Sequence, residues 1–114
     1  MIIIGIDPGV SGAISILENK KIIERVKQKN LPYIIILVSG RPMLIEDEIK
    51  DCDAFIAVWL PGTEGAGIAD VIFGDYPPTG KLSMSWPRSM DQLPINIGDK
   101  IYNPLFPFGY GLSY

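Results

Sequence analysis

Two uninterrupted apolar runs constrain the fold of this chain more than any other feature: Tyr33-Ile34-Ile35-Ile36-Leu37-Val38 and Ala54-Phe55-Ile56-Ala57-Val58-Trp59-Leu60. Neither run alternates apolar with polar residues, so neither suits a strand with one wet face. A strand that is apolar throughout has to be covered on both faces, as in the parallel sheet of an α/β fold. Ser39-Gly40-Arg41-Pro42 and Pro61-Gly62-Thr63-Glu64-Gly65 follow the two runs and supply turn residues. Between the runs, Glu46 to Asp53 reads as a short helix or turn. Its five acids lack the ligand spacing and the glycine of an EF-hand loop.

The remaining segments follow from their periods. Ile22, Ile23 and Val26 share one helical face between Lys20 and Lys29, and Asn30-Leu31-Pro32 ends that amphipathic helix. Thr63 is placed to cap a second helix from about Gly65 to Phe73. Leu82, Met84 and Trp86 alternate with serines, which predicts an amphipathic strand over Lys81–Trp86. At the N-terminus, Ile2–Ile6 and Ala13–Leu17 flank Asp7-Pro8-Gly9-Val10-Ser11-Gly12 and read as a β-hairpin. From Pro87 to Tyr114, proline, glycine and aromatic residues replace any period, which suits an extended tail over a core surface. The expected fold is a single α/β domain over residues 1–114. It is a sandwich with a largely parallel central sheet, an N-terminal β-hairpin and an extended C-terminal tail.

Composition excludes several chemistries. There is no histidine, so no Ser-His-Asp triad, no Cys-His pair and no His-ligated zinc can form. The single cysteine, Cys52, excludes an intramolecular disulfide and a multi-cysteine metal site. A net charge of −3 gives no general pull toward nucleic acid. The local excess of lysine over Lys20–Lys29 has no interleaved aromatics and reads as a solvated helix face. No apolar run reaches the ~18 residues of a membrane span, and the N-terminus lacks a basic leader region. These features predict a cytoplasmic chain without a membrane partner.

From about Lys20 onward the chain resembles glycoside hydrolase family 3. The resemblance rests on Leu37-Val38-Ser39-Gly40-Arg41-Pro42, Ala57-Val58-Trp59-Leu60-Pro61-Gly62-Thr63-Glu64-Gly65 and Asp70-Val71-Ile72-Phe73-Gly74-Asp75-Tyr76. It continues through Gly80-Lys81-Leu82, Trp86-Pro87-Arg88-Ser89 and the closing run Pro104 to Tyr114. It implies the second half of the family's C-terminal α/β-sandwich domain, in enzymes that hydrolyse β-linked glucosides with retention. Such hydrolysis needs two carboxyl groups about 5–5.5 Å apart. The resemblance puts the nucleophile, an Asp, on a preceding barrel domain outside these 114 residues, and the acid/base upstream of Tyr33–Val38, where this chain has other residues. No catalytic residue is therefore assigned. Glu64 reads as a carboxylate at a helix N-terminus, and Arg41 and Asp75 as loop-joining residues.

Residues 1–18, and Met1 to Ala13 above all, resemble instead the N-terminal hairpin of RuvC-type ribonuclease-H-like resolvases. That likeness makes Asp7 a candidate metal ligand, one member of a carboxylate set whose other members are missing here. With two incomplete sets, the leading expectation is an artificial or recombined chimera, joined near Leu17–Lys21, made recombinantly and without enzymatic activity or cofactor. A β-glucosidase-type fragment is the first alternative, with weak or absent sugar binding. Metal or nucleic-acid binding through the hairpin is the second. Ile-rich strand edges left uncovered predict a homodimer or domain swap.

Overall fold

The structure is a computed structural model that describes residues 1–7 and 12–113, the backbone alone over 12–19. Two compact units account for these residues. Met1–Arg41 with Ile45–Pro61 forms the first, and Pro42–Leu44 with Gly62–Tyr114 the second.

The first unit is a parallel three-stranded sheet with one long helix. Strands β1 (Ile2–Ile6), β2 (Tyr33–Val38) and β3 (Ala54–Trp59) lie in the order β1-β2-β3. Ile2 stands opposite Tyr33 and Ile6 opposite Leu37, while Ile34 stands opposite Ala54. Both apolar runs thus become strands, with the second ending at Trp59. Parallel neighbours cannot be joined by a tight turn; they need a crossover. Helix α1 (Gly12–Lys27) is the crossover between β1 and β2.

This connection overturns the expected N-terminal hairpin. Ala13–Leu17 lies within α1, and β1 finds its partner in β2 instead. The five residues Ala-Ile-Ser-Ile-Leu fit either period, and only the long-range pairing decides between them. Pro8–Ser11 of the expected turn lie outside the described residues. Helix α1 ends at Lys27, two residues before the expected Lys29, and a turn follows to Asn30, which is in the left-handed region at φ 51°. Ile23 and Val26 face the sheet, whereas Ile22 is exposed.

Ile4, Ile23, Tyr33 and Ile35 form the core of this unit, ringed by Ile2, Ile6, Val26, Cys52 and Phe55. At its amino edge Asp53 clamps two strands together. The Tyr33 N–H donates to the Asp53 carboxylate at 2.8 Å, and the Asp53 N–H donates to the Tyr33 carbonyl at 3.0 Å. Lys27 at the end of α1 bonds Asp51 at 2.7 Å, and Lys20 pairs with Glu48 at 3.2 Å.

The second unit centres on Trp86, which is 1% exposed. Its indole N–H donates to the Met43 carbonyl at 2.7 Å, and Phe106 meets its ring edge-on at 6.4 Å. Phe106 stacks in turn on Tyr110 at 4.9 Å. Helix α2 (Gly65–Phe73) has the expected bounds and stops at Gly74, φ 86°. The Asp75 N–H then reaches back to the Asp70 carbonyl at 2.8 Å, a closure that requires the left-handed residue before it.

Lys81–Trp86 does not form the expected regular strand. Leu82 instead exchanges backbone bonds with Gly109 and Tyr110, and Trp86 with Leu105 and Phe106. The tail is therefore a return arm of a short antiparallel ribbon within this unit, with one 3₁₀ turn at Met90–Gln92.

Among the described residues the buried Tyr33 hydroxyl has no hydrogen-bond partner, and burial pushes its ionisation above the ordinary phenol range. Replacing it should remove a buried unsatisfied group. Tyr33→Phe is expected to raise stability by about 1 kcal/mol in urea unfolding. The unfolded phenol ionises near ~10, while the folded one holds its proton to higher pH. Wild-type stability therefore falls as pH climbs through that window, and urea midpoints in Tyr33→Phe should show a smaller alkaline loss.

Candidate functional site

Ligand sites in parallel sheets gather beyond the carboxyl ends of the strands, where loops diverge over a rigid edge. In the first unit that edge carries Asp7 after β1, Ser39-Gly40-Arg41 after β2 and Trp59-Leu60-Pro61 at the end of β3.

Ser39 holds the middle loop. It is buried at 7% exposure, and its hydroxyl donates to the Arg41 carbonyl at 2.8 Å while accepting from the Arg41 N–H at 3.3 Å. Its own N–H donates to the Trp59 carbonyl at 3.0 Å, extending the sheet pairing beyond Val38. The ladder shifts register just before this point, so that Leu37 faces Ala57 but Val38 faces Trp59. The extra residue is Val58, as in a bulge.

Trp59 takes up the distortion. Its φ is 55°, a left-handed value that is costly for a bulky side chain. Such strain persists only where the surroundings hold it, and here the Ser39 N–H grips the Trp59 carbonyl. Next to it, the Leu60 side chain lies over Gly40. A Cβ on Gly40 would sit 3.3 Å from Leu60 Cδ1. Arg41 and Asp7 are exposed at the same edge.

This edge offers a carboxylate, a guanidinium and an aromatic side chain beside a backbone turn. Those groups suit hydrogen bonding to a neutral polar ligand. The residues directly following the three strands contribute one carboxylate, Asp7, and retaining hydrolysis needs two. Among the described residues, no group of three or more His, Cys, Asp or Glu side chains could hold a metal, and Asp7 gathers no such set. Cys52 lies toward the other end of the sheet, bonded to the Ile49 carbonyl at 3.3 Å. Burial pushes its thiol up, so it is a poor nucleophile near neutrality.

In the second unit Glu64 occupies the N-cap of α2, exposed and without a capping hydrogen bond from its side chain. The expected Thr63 cap does not form. The Thr63 hydroxyl donates to the Glu64 carboxylate at 3.4 Å, and Glu64, not Thr63, is the N-cap residue. Asp75 serves through its backbone at the C-cap. The lysine-rich face of α1 is partly neutralised by Glu48 and Asp51, which weakens it as a nucleic-acid surface. Sequence reasoning overlooked the strained Trp59. Nothing local marks it, because its φ follows from the bulge and the Ser39 contact.

Removing the Ser39 hydroxyl should free the Gly40-Arg41 turn and leave the Arg41 N–H without that acceptor. Ser39→Ala is expected to cost about 1 kcal/mol, and faster amide exchange at Arg41 would report the loosened loop.

Residues 13–114 match the glycosyl hydrolase family 3 C-terminal domain. The chain is 39% identical over 117 residues to a periplasmic β-glucosidase of Salmonella typhimurium, covering 83% of this chain and 15% of that protein. It is 36% identical over 112 residues to a β-xylosidase of Formosa agariphila, again covering 83% of this chain and 15% of that protein. A mutant exo-1,3/1,4-β-glucanase from a Pseudoalteromonas species shares its structure with a TM-score of 0.83 at 38% identity, covering 98% of this chain and 21% of that one. The chain thus spans about a seventh of the length of these curated relatives. The match begins at residue 13, ahead of the joint expected at Leu17–Lys21, and the structural likeness extends over nearly the whole chain. Neither the chimera nor the resolvase-like hairpin finds support in these likenesses.

Proposed function

The chain belongs to glycosyl hydrolase family 3, within its C-terminal domain. From that premise we propose that it serves the hydrolysis of β-linked glucosides or xylosides as one part of a larger enzyme. The observation that carries this reading is the identity of 36–39% to a β-glucosidase and a β-xylosidase over 83% of the chain. The chain's role is to present the Ser39–Arg41 and Trp59–Pro61 loops on a rigid sheet edge, while the nucleophile comes from a barrel domain. The chain by itself binds sugar weakly or not at all. Among the described residues, those directly following the three strands contribute one carboxylate, Asp7, where retaining hydrolysis needs two.

Among the described residues no helix is long and apolar enough to cross a membrane. The periplasmic relative supports action in the periplasm over the cytoplasmic place expected from the N-terminal residues.

A graft tests the reading. The chain alone should give no turnover of aryl β-glucosides or aryl β-xylosides. Residues 13–114, exchanged for the matching segment of the Salmonella β-glucosidase, should preserve turnover of the glucoside. A graft that folds cooperatively, binds a glucoside and yet turns nothing over would overturn the proposal. So would robust turnover by the chain alone.

A further inference from the structure

Apart from the aromatic residues, Ser39 is the one buried side chain with a polar group among the described residues. A buried hydroxyl has to be hydrogen-bonded, and this one is bonded twice to a single residue. It donates to the Arg41 carbonyl and accepts from the Arg41 N–H. The Ser39 N–H meanwhile donates to the Trp59 carbonyl, at the end of the neighbouring strand. One small residue thus ties together the two loops that follow β2 and β3. Reversing the chain does not call for such an anchor, since Gly40 and Pro42 already supply turn chemistry after β2, and Pro61 and Gly62 after β3.

The Trp59 end of this latch is held against a conformational cost. Among the described residues two non-glycine residues have a positive φ, Asn30 and Trp59. Asn adopts that region readily, and glycine occupies it at Gly62, Gly74, Gly98 and Gly109. A tryptophan there is an outlier. Core packing does not account for it, because Trp59 is only half-buried and stands outside the core cluster of its unit. Its conformation does bring its carbonyl onto the Ser39 N–H and, one residue on, the Leu60 side chain against Gly40. Two loops from neighbouring strands are thereby joined through the backbone and through a side chain. Strain kept at such a place marks pre-organisation.

We propose that Ser39 is a positioning residue for glycoside hydrolysis: through Arg41 and Trp59 it holds the two loops in the one relative geometry that the sugar meets in the whole enzyme. This role deepens the proposed function and rests on it. Ser39 is itself buried and does not touch sugar; it acts through the loops. Orientation of a bound substrate supplies a large part of an enzyme's rate, and a displacement of ~1 Å can cost ~100-fold. Without the hydroxyl, the Arg41 turn keeps its covalent path but not its fixed place. The sugar then meets the loops less often in productive form, both on binding and in the transition state, so KM rises and kcat falls.

The kinetics of the graft that carries residues 13–114 in the Salmonella β-glucosidase test the role, with an aryl β-glucoside as the probe. Ser39→Ala should lower kcat/KM by at least ~10-fold, with KM raised as well as kcat lowered. Ser39→Thr, which keeps the hydroxyl, should recover most of the loss. Ser39→Cys, whose thiol is a weaker donor and acceptor, should fall between Ser39→Thr and Ser39→Ala, and it replaces Ser39→Ala if that variant does not fold. Ile23→Val is the control. It thins the core outside both loops and should lower the unfolding midpoint with KM and kcat unchanged. A Ser39→Ala graft that folds and keeps the parental KM and kcat overturns the proposal. So does an equal loss of turnover in Ser39→Ala and Ile23→Val, which makes Ser39 merely structural. In both cases the parental graft still turns over the glucoside, and the proposed function stands. A folded parental graft without turnover overturns that function and this role together.

Discussion

The double pairing of β2 is the constraint on which the sheet unit depends. Tyr33–Val38 is hydrogen-bonded to β1 on one side and β3 on the other, and both pairings are parallel. Parallel geometry forces a crossover before β2 and a long connection after it. The crossover becomes α1, whose Ile23 closes the core over Ile4, Tyr33 and Ile35. The long connection carries Glu48, Asp51 and Asp53, and two of these acids tie it to α1 while the third clamps the start of β2. Apart from the Tyr33 hydroxyl, the side chains of β2 carry no polar group, so this central place demands little desolvation.

The same pairing creates the candidate site. All three strands run in one direction, so their carboxyl ends, and the loops that follow, collect at one edge. The Ser39 N–H bonds the Trp59 carbonyl just where the ladder shifts by one residue, and that bond holds Trp59 in a left-handed conformation. The strain sits where β3 meets its loop and not in the core, as expected of positions kept for a functional surface. Among the described residues, those directly following the three strands contribute one carboxylate, Asp7, and the chain covers about a seventh of its β-glucosidase and β-xylosidase relatives. A retaining hydrolase divides its carboxyl groups between elements that must meet in space, so a partial chain keeps the scaffold of such a site more readily than its chemistry.

Glycosyl hydrolase family 3 was legible through the loop and tail motifs, because turn residues are dictated locally. Pro61-Gly62-Thr63-Glu64-Gly65 and Gly74 marked both ends of α2, and Gly74 is indeed left-handed. The N-terminal segment misled for the opposite reason. Five residues such as Ala13–Leu17 carry too little periodicity to separate strand from helix, and the Gly-rich turn before them suggested a hairpin that the parallel partner displaced. Lys81–Trp86 misled differently. Its alternation is genuine, but its partner is the Leu105–Tyr110 arm, and the two exchange bonds only near Leu82 and Trp86.

The sequence by itself determined the two apolar strands, of which β2 is largely buried and β3 only partly so, the bounds of α2, the turn at Gly74 and the exclusion of histidine chemistry. Each depends on residue type or on contacts a few positions apart. Only the tertiary structure decided that β1 pairs with β2, that Ala13–Leu17 is helical and that Trp59 is strained. These features depend on which distant backbone groups meet. A backbone donor looks the same in every residue, so its partner is settled by register and packing and not by the side chain that labels it.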